Sequence, residues 1–258
     1  PVQVFITGAS SGIGEALAVH YAAQGARLGL VGRRLEALAR LNDSLGGGHR
    51  CYALDVSDAD ALANAAADFI ARFGVPDVVI ANAGVSAGTL TEYPEDLAVL
   101  RRILETNVFG MAATFSPFIS AMKTAGGRPL LVGIASVAGI RGLPGAEAYS
   151  ASKAAVIAYL ESLRLEMKPY GIQVVTIVPG YIATPMTAVN PYPMPFMLSA
   201  DEAARRFVQA IERGRSYVVI PWPMAWVAKL LRLLPNVLYD RLFSNAARKP
   251  RGLIPPPC

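Results

Sequence analysis

Continuous apolar runs alternate with helically spaced apolar positions along most of the chain. Runs at 2–6, 27–31, 50–54, 77–80, 129–134, 173–178 and 217–220 predict seven strands. Between them, apolar residues recur at helical spacing near 13–24, 35–44, 58–73, 96–123, 147–168 and 200–213. Strands that are apolar on both faces and joined by helices predict a parallel sheet covered on each side. Seven strands with one helix per crossover predict a doubly wound α/β fold. No shift of composition divides the chain before residue 221. Residues 1–220 therefore read as one domain, with an irregular Pro- and Met-rich segment at 180–199. Residues 221–258 read as a helical extension of it, not an independent domain.

In such a sheet, ligands bind beyond the carboxyl ends of the strands. Gly8, Arg33, Asp55, Asn82, Ser136 and Pro179 each follow a predicted strand, so they fall on one sheet edge. The first belongs to the run Thr7-Gly8-Ala9-Ser10-Ser11-Gly12-Ile13-Gly14, placed between a strand and a helix. Glycine permits the tight turn and lets the backbone approach a pyrophosphate, and the helix start offers N–H groups to it. Gly8, Ser10, Ser11, Gly12, Ile13 and Gly14 are the expected cradle. An NAD site would place Asp or Glu about 20 residues further on. Arg33 and Arg34 stand there instead. An arginine fork suits a 2′-phosphate and predicts NADP over NAD; a solvated arginine pair is the alternative.

Tyr149 and Lys153 lie four apart at the start of a predicted helix and share one face. A free tyrosine is only about 0.1% ionised at pH 7. A neighbouring ammonium and a cationic nicotinamide favour the tyrosinate; a lowering of about three pKa units needs roughly 4 kcal/mol. That would make Tyr149 a proton donor to a carbonyl near neutral pH. Ser136, thirteen residues upstream, is placed to bond the reacting oxygen.

With Asp55-Val56, Asn82-Ala83-Gly84, Asn107 and Pro179-Gly180, the set resembles the compact, single-domain branch of the short-chain dehydrogenase/reductase family, with its Rossmann fold, over about residues 2–220. The resemblance implies roles. Tyr149 is the general acid/base. Lys153 lowers its pKa and holds the nicotinamide ribose, and Ser136 orients the substrate oxygen. Asn107 kinks the helix 96–123 and holds a water linking Lys153 to solvent. Asp55 bonds the adenine amine, with Val56 behind the ring. Asn82, Ala83 and Gly84 line the cofactor channel. Pro179, Gly180 and Ile182 pass the nicotinamide, and Thr184 bonds its carboxamide. A homodimer or homotetramer is also implied.

Segment 180–199 reads as a substrate lid. Met186, Met194, Phe196 and Met197 are adaptable apolar groups, which predicts an apolar substrate; the same residues would equally cover the core or a subunit interface. Residues 222–243 carry Trp222, Trp226, several leucines and Lys229, Arg232 and Arg241. That composition suits a helix at a membrane interface, or one packed on the domain or a sister subunit. Removing 222–258 is expected to leave the catalytic set intact.

The bulk properties narrow the setting. A chain of 258 residues can bury roughly 73–75% of its unfolded surface. Mean hydropathy is +0.38, yet no apolar run approaches the ~20 residues of a spanning helix. The net charge of +5 comes without a Lys/Arg run of the nucleic-acid type, so no nucleic-acid partner is expected. Cys51 and Cys258 stand far apart, which suits a reducing cytoplasm. His20 and His49 lack ligand spacing, and no metal is expected. The first residues enter a strand directly, so no signal peptide is expected. Location is expected to be cytoplasmic, with peripheral contact at the inner face of a membrane. The leading function is NADP-dependent carbonyl reduction, on a lipophilic ketone. A polar sugar or cell-surface precursor is the alternative substrate. A non-catalytic NADP sensor or scaffold is the alternative class; the intact Ser136, Tyr149 and Lys153 stand against it.

Overall fold

The computed structural model describes residues 1–252. Its strands, in chain order, are β1 (Gln3–Thr7), β2 (Arg27–Gly32), β3 (Arg50–Ala53), β4 (Val78–Ala81), β5 (Leu130–Ile134), β6 (Gln173–Pro179), β7 (Ile182–Ala183), β8 (Leu198–Ser199) and β9 (Tyr217–Ile220). Seven of them form one parallel sheet in the order β3-β2-β1-β4-β5-β6-β9. The helices are α1 (Gly12–Ala23), α2 (Leu35–Ser44), α3 (Ala59–Phe73), α4 (Asp96–Leu104), α5 (Gly110–Ala125), α6 (Glu147–Met167), α7 (Ala200–Glu212), α8 (Trp222–Leu233) and α9 (Asn236–Phe243).

The apolar runs are continuous because the sheet has a core on each face. Val4 and Ile6 of β1 point into one, with Leu17 of α1 and Phe207 of α7. Phe5 points into the other, with Phe69 of α3 and Phe115 and Phe118 of α5. There the Phe5 ring meets Phe118 edge-on at 4.8 Å and Phe69 at 5.6 Å. Strand order reverses at β1, which pairs with both β2 and β4. This is the switch point where a crevice opens beyond the strand ends.

Three features differ from the pattern read along the chain. The helix expected over 96–123 is divided into α4, a π-helical stretch Glu105–Phe109, and α5. Such wide turns recur where a side chain must be aimed, and Asn107 lies inside this one. The segment 180–199 is not wholly irregular, since Ile182–Ala183 pairs in parallel with Leu198–Ser199. Two-residue strands are too short to leave a periodic signal.

The third difference is the extension. Helix α8 packs on β9, burying Met224 and Ala228. Arg141 caps it, donating from Nη1 to the carbonyls of Leu231 (2.6 Å) and Leu234 (2.8 Å). Tyr239 of α9 is buried and donates to the Gly142 carbonyl. The chain then returns over the strand ends, and the Gly88 N–H donates to the Pro250 carbonyl at 3.0 Å. The extension thus touches loops next to the catalytic residues, contacts that the composition of 221–258 does not announce. Among the described residues no helix is long and apolar enough to cross a membrane. Cys51 is half-buried; Cys258 lies outside the described residues.

Candidate active site

The glycine turn is fixed by its neighbours across the sheet. Gly8 and Gly12 adopt φ of +66° and +56°, a region that disfavours side chains. A Cβ on Gly8 would stand 2.9 Å from the Ala83 backbone and from Asn82 Nδ2, and one on Gly14 would overlap the Gly8 carbonyl. Asn82 Nδ2 donates to the carbonyls of Thr7 (3.2 Å) and Gly8 (3.3 Å). Thr7 Oγ1 accepts from the N–H groups of Asn82 (3.0 Å) and Ala83 (3.1 Å). Thr7 sits in the glycine run, yet sequence reasoning gave it no role. Ser11 caps α1 without a side-chain hydrogen bond, so the first-turn N–H groups of Gly12, Ile13 and Gly14 face the crevice edge unshielded by a cap. Ser10 lies beneath, its Oγ 3.1 Å from where a Cβ on Gly32 would stand.

At the end of β2, Arg33 is half-buried and Arg34 exposed. Nη1 of Arg33 is buried with no hydrogen-bond partner. Such a buried donor is costly unless something accepts from it. A phosphate beyond the glycine turn fits that requirement. Asp55, after β3, is engaged on both oxygens. Oδ1 accepts from Ser57, and Oδ2 accepts from Arg102 at 2.7 Å. Burial works to raise the Asp55 pKa, but the Ser57 and Arg102 hydrogen bonds outweigh it and hold it below its ordinary value. Val56 is buried against Gly110.

Beyond β5, Ser136 is half-buried, and its Oγ accepts from the Ala138 N–H at 3.1 Å. Tyr149 and Lys153 lie on the first turns of α6. Lys153 is 6% exposed, and its Nζ donates to the Ile134 carbonyl at 3.1 Å. It stands 5.7 Å from the centre of the Tyr149 ring. Burial pushes the Tyr149 pKa up, opposed by the nearby Ser136 hydroxyl. Burial brings Lys153 down to about 8. The lowered tyrosine expected from the sequence is thus not produced by these side chains alone. Lysine is directed to a carbonyl, and desolvation of the phenol prevails.

Asn107 draws three segments together. Its Oδ1 accepts from the Val85 N–H at 2.8 Å, while Nδ2 donates to the Val85 carbonyl and to Ser152 Oγ, each at 3.0 Å. Both Nδ2 donors are engaged, so they are not the holders of a relay water. A Cβ on Gly84 would lie 3.3 Å from Asn107 Oδ1 and 3.8 Å from Lys153 Nζ. Ser152 and Gly139 escaped sequence reasoning. A Cβ on Gly139 would meet the Lys153 backbone at 2.6 Å, so only glycine lets the loop after Ser136 pack on α6 here. No local signal marks that contact.

On the far side, Pro179 ends β6 and Gly180 lies under Met224, whose Cγ would be 2.9 Å from a Cβ there. Ile182 is buried. Thr184 reaches the glycine turn, with Cγ2 3.4 Å from the place of a Cβ on Gly12. The structure thus brings Gly8–Gly14, Asn82–Gly84, Asn107, Ser136, Tyr149, Lys153 and Thr184 to one crevice. Arg33 and Asp55 lie at its β2–β3 end.

Comparisons with known proteins identify the family. A family model described as short chain dehydrogenase matches residues 3–192. An uncharacterized oxidoreductase of Myxococcus xanthus is 40% identical over 91% of this chain and 93% of its own length. An 11-beta-hydroxysteroid dehydrogenase-like protein of Arabidopsis thaliana is 34% identical over 93% of this chain and 81% of its own. A crystal structure of a short chain dehydrogenase/reductase from Burkholderia phymatum, in complex with NAD, superposes with a TM-score of 0.80 at 25% identity, covering 98% of each chain. A glycine cradle at the switch point, a serine, tyrosine and lysine at one sheet edge, and matches of this extent make the chain a member of the short-chain dehydrogenase/reductase family, oxidoreductases that use a nicotinamide cofactor on CH–OH or C=O groups.

Proposed function

We propose that the protein is an NADPH-dependent reductase of lipophilic ketones. The observation that carries the cofactor choice is the buried, unpartnered Nη1 of Arg33. A 2′-phosphate would accept from it, and no carboxylate occupies the position that repels one. When bound, NADPH supplies the hydride to the carbonyl carbon. The chain's own residues do the rest. Tyr149 donates its proton to the carbonyl oxygen, and Ser136 bonds the same oxygen. A phenol kept protonated by burial is in the right state for that donation at neutral pH. Lys153, about 90% ammonium at pH 7 for a pKa near 8, attracts the tyrosinate left behind. Asn107 holds the loop at Val85 and the α6 turn at Ser152 in fixed relation. The apolar lid supports a lipophilic substrate, as Phe196 and Met197 stand exposed at its surface.

A panel of ketones with NADPH and NADH tests this reading. Medium-chain ketones should be reduced and NADPH preferred. Arg33→Asp should weaken NADP binding by roughly 10–150-fold relative to NAD, the loss of one charge-assisted contact. Unchanged NADP affinity would refute the cofactor assignment, and binding without turnover of any ketone would favour the sensor class.

A second reading concerns α8 and α9. Trp222, Trp226 and Leu233 are 70%, 67% and 81% exposed, beside Leu230, Val237 and Leu242. Arg206, Arg213, Arg215, Lys229 and Arg232 line a neighbouring cavity of about 790 Å³. Apolar rings bordered by cations suit a face lying on an anionic membrane. Sedimentation with anionic vesicles at low salt, and its loss at high salt, checks that; a change of oligomer on altering Trp226 would assign the face to a sister subunit instead.

A further inference from the structure

Residues 248–251 pack beyond the strand ends against the loop after β4, the loop before α6 and the lid segment. Pro250 accepts from the Gly88 N–H in the loop after β4. Arg248 covers Gly145, four residues before Tyr149, where a Cβ would meet the arginine side chain at 2.9 Å. Between these contacts Lys249 reaches inward. Its Nζ donates to Ser86 Oγ at 2.9 Å and to the Met186 carbonyl at 3.2 Å. Ser86 is two residues from Gly84, which lies against Lys153, and Met186 is two residues from Thr184 in the lid. The ammonium thus joins the floor of the cleft to its lid.

We propose that Lys249 is a specificity-determining residue that binds an anionic oxygen group, a carboxylate or a phosphate, at the remote end of the substrate. The inference rests on the reading of this cleft as a ketone site.

Docking of the tail does not need this cation. Arg251, two residues on, bonds both oxygens of Asp96 (2.8 and 3.1 Å) and Glu95, and lies 3.6 Å over the Tyr93 ring. Lys249 instead has only neutral partners and no carboxylate within ion-pair distance among the described residues. An ammonium carries three donors, and two are engaged here. It is half-buried, and burial lowers its pKa. A partly desolvated cation on neutral acceptors gains more from an incoming anion than a solvated one does. Around it the lid is apolar, so the matching ligand has an apolar body and an anionic end.

Calorimetry on the full chain with saturating NADP⁺ tests the proposal, with decanoate, decyl phosphate and decan-1-ol below their aggregation concentrations. Lys249→Met should weaken decanoate or decyl phosphate by roughly tenfold or more and leave decan-1-ol unchanged; Lys249→Arg should keep the anion affinity. Whichever anion shows the larger loss identifies the group. Equal loss for the alcohol would make Lys249 a structural tie and overturn the proposal. So would unchanged anion affinity in Lys249→Met, or no anion binding to the parent protein. These readouts need no turnover. Failure of the ketone reading would show separately, as NADPH oxidation by no ketone.

Discussion

The two halves of the crevice are built by different means. On the cofactor side, the backbone does most of the work. Gly8 and Gly14 leave no room for side chains, Gly12 takes a positive φ that disfavours one, and Thr7 and Asn82 tie the turn to the adjoining strand end. On the substrate side, long side chains tie loops to a returning tail, as Arg141, Tyr239, Lys249 and Arg251 show. Backbone construction tolerates few substitutions and leaves a compact local motif. Side-chain ties can be replaced one at a time, so this side is free to change ligand while the first is not.

Tyr149 stands at the seam, and its loss should have the largest effect. Tyr149→Phe keeps the ring and removes the proton donor. Turnover should fall by at least about 10²-fold with cofactor affinity unchanged in a fluorescence titration. A parallel loss of cofactor affinity would assign Tyr149 to the backbone-built half instead.

Lys153 gives the next effect, as a pH dependence of stability. Its folded pKa of about 8 lies below the ordinary 10.5. Between those values the unfolded chain binds more of this proton, so stability rises with pH there. In urea unfolding, the parent protein should gain about 2–3 kcal/mol relative to Lys153→Met between pH 7 and pH 10. A constant difference across that range would show that the ammonium is not held in a dry site.

The smallest effect sharpens the contrast directly. Arg251→Ala should free the tail and speed hydrogen exchange at the Gly88 amide several-fold, while cofactor affinity stays the same. If cofactor affinity falls as well, the halves are coupled and the distinction fails.

That contrast also explains what could be read from the chain. The seven sheet strands and the glycine run were legible because each is a local pattern of burial or φ. Tyr149 and Lys153 were legible because helical spacing alone puts them together. The π-helical turn at Asn107 was visible only as a kink implied by family resemblance, since its cause is Val85 and Ser152. Asp55 was read by position, but its Arg102 partner lies 47 residues away. Gly88, Gly139 and Gly145 look like ordinary loop glycines until the segment that crosses each is placed. The tail's composition leaves membrane interface, domain packing and subunit contact open, because its partners lie on loops distant in sequence.

The tie between Ser86 and Lys249 spans 163 residues, and this sets an order of assembly. During synthesis the glycine turn, Asn82 and Tyr149 all leave the ribosome well before residue 249 does. A nascent chain ending after β9 holds the glycine turn, Asn82 and Tyr149 but not yet Lys249, the partner of Ser86. On the proposed role of Lys249, selection among substrates is therefore the last property the growing chain can acquire, after every residue of the nucleotide turn is already available.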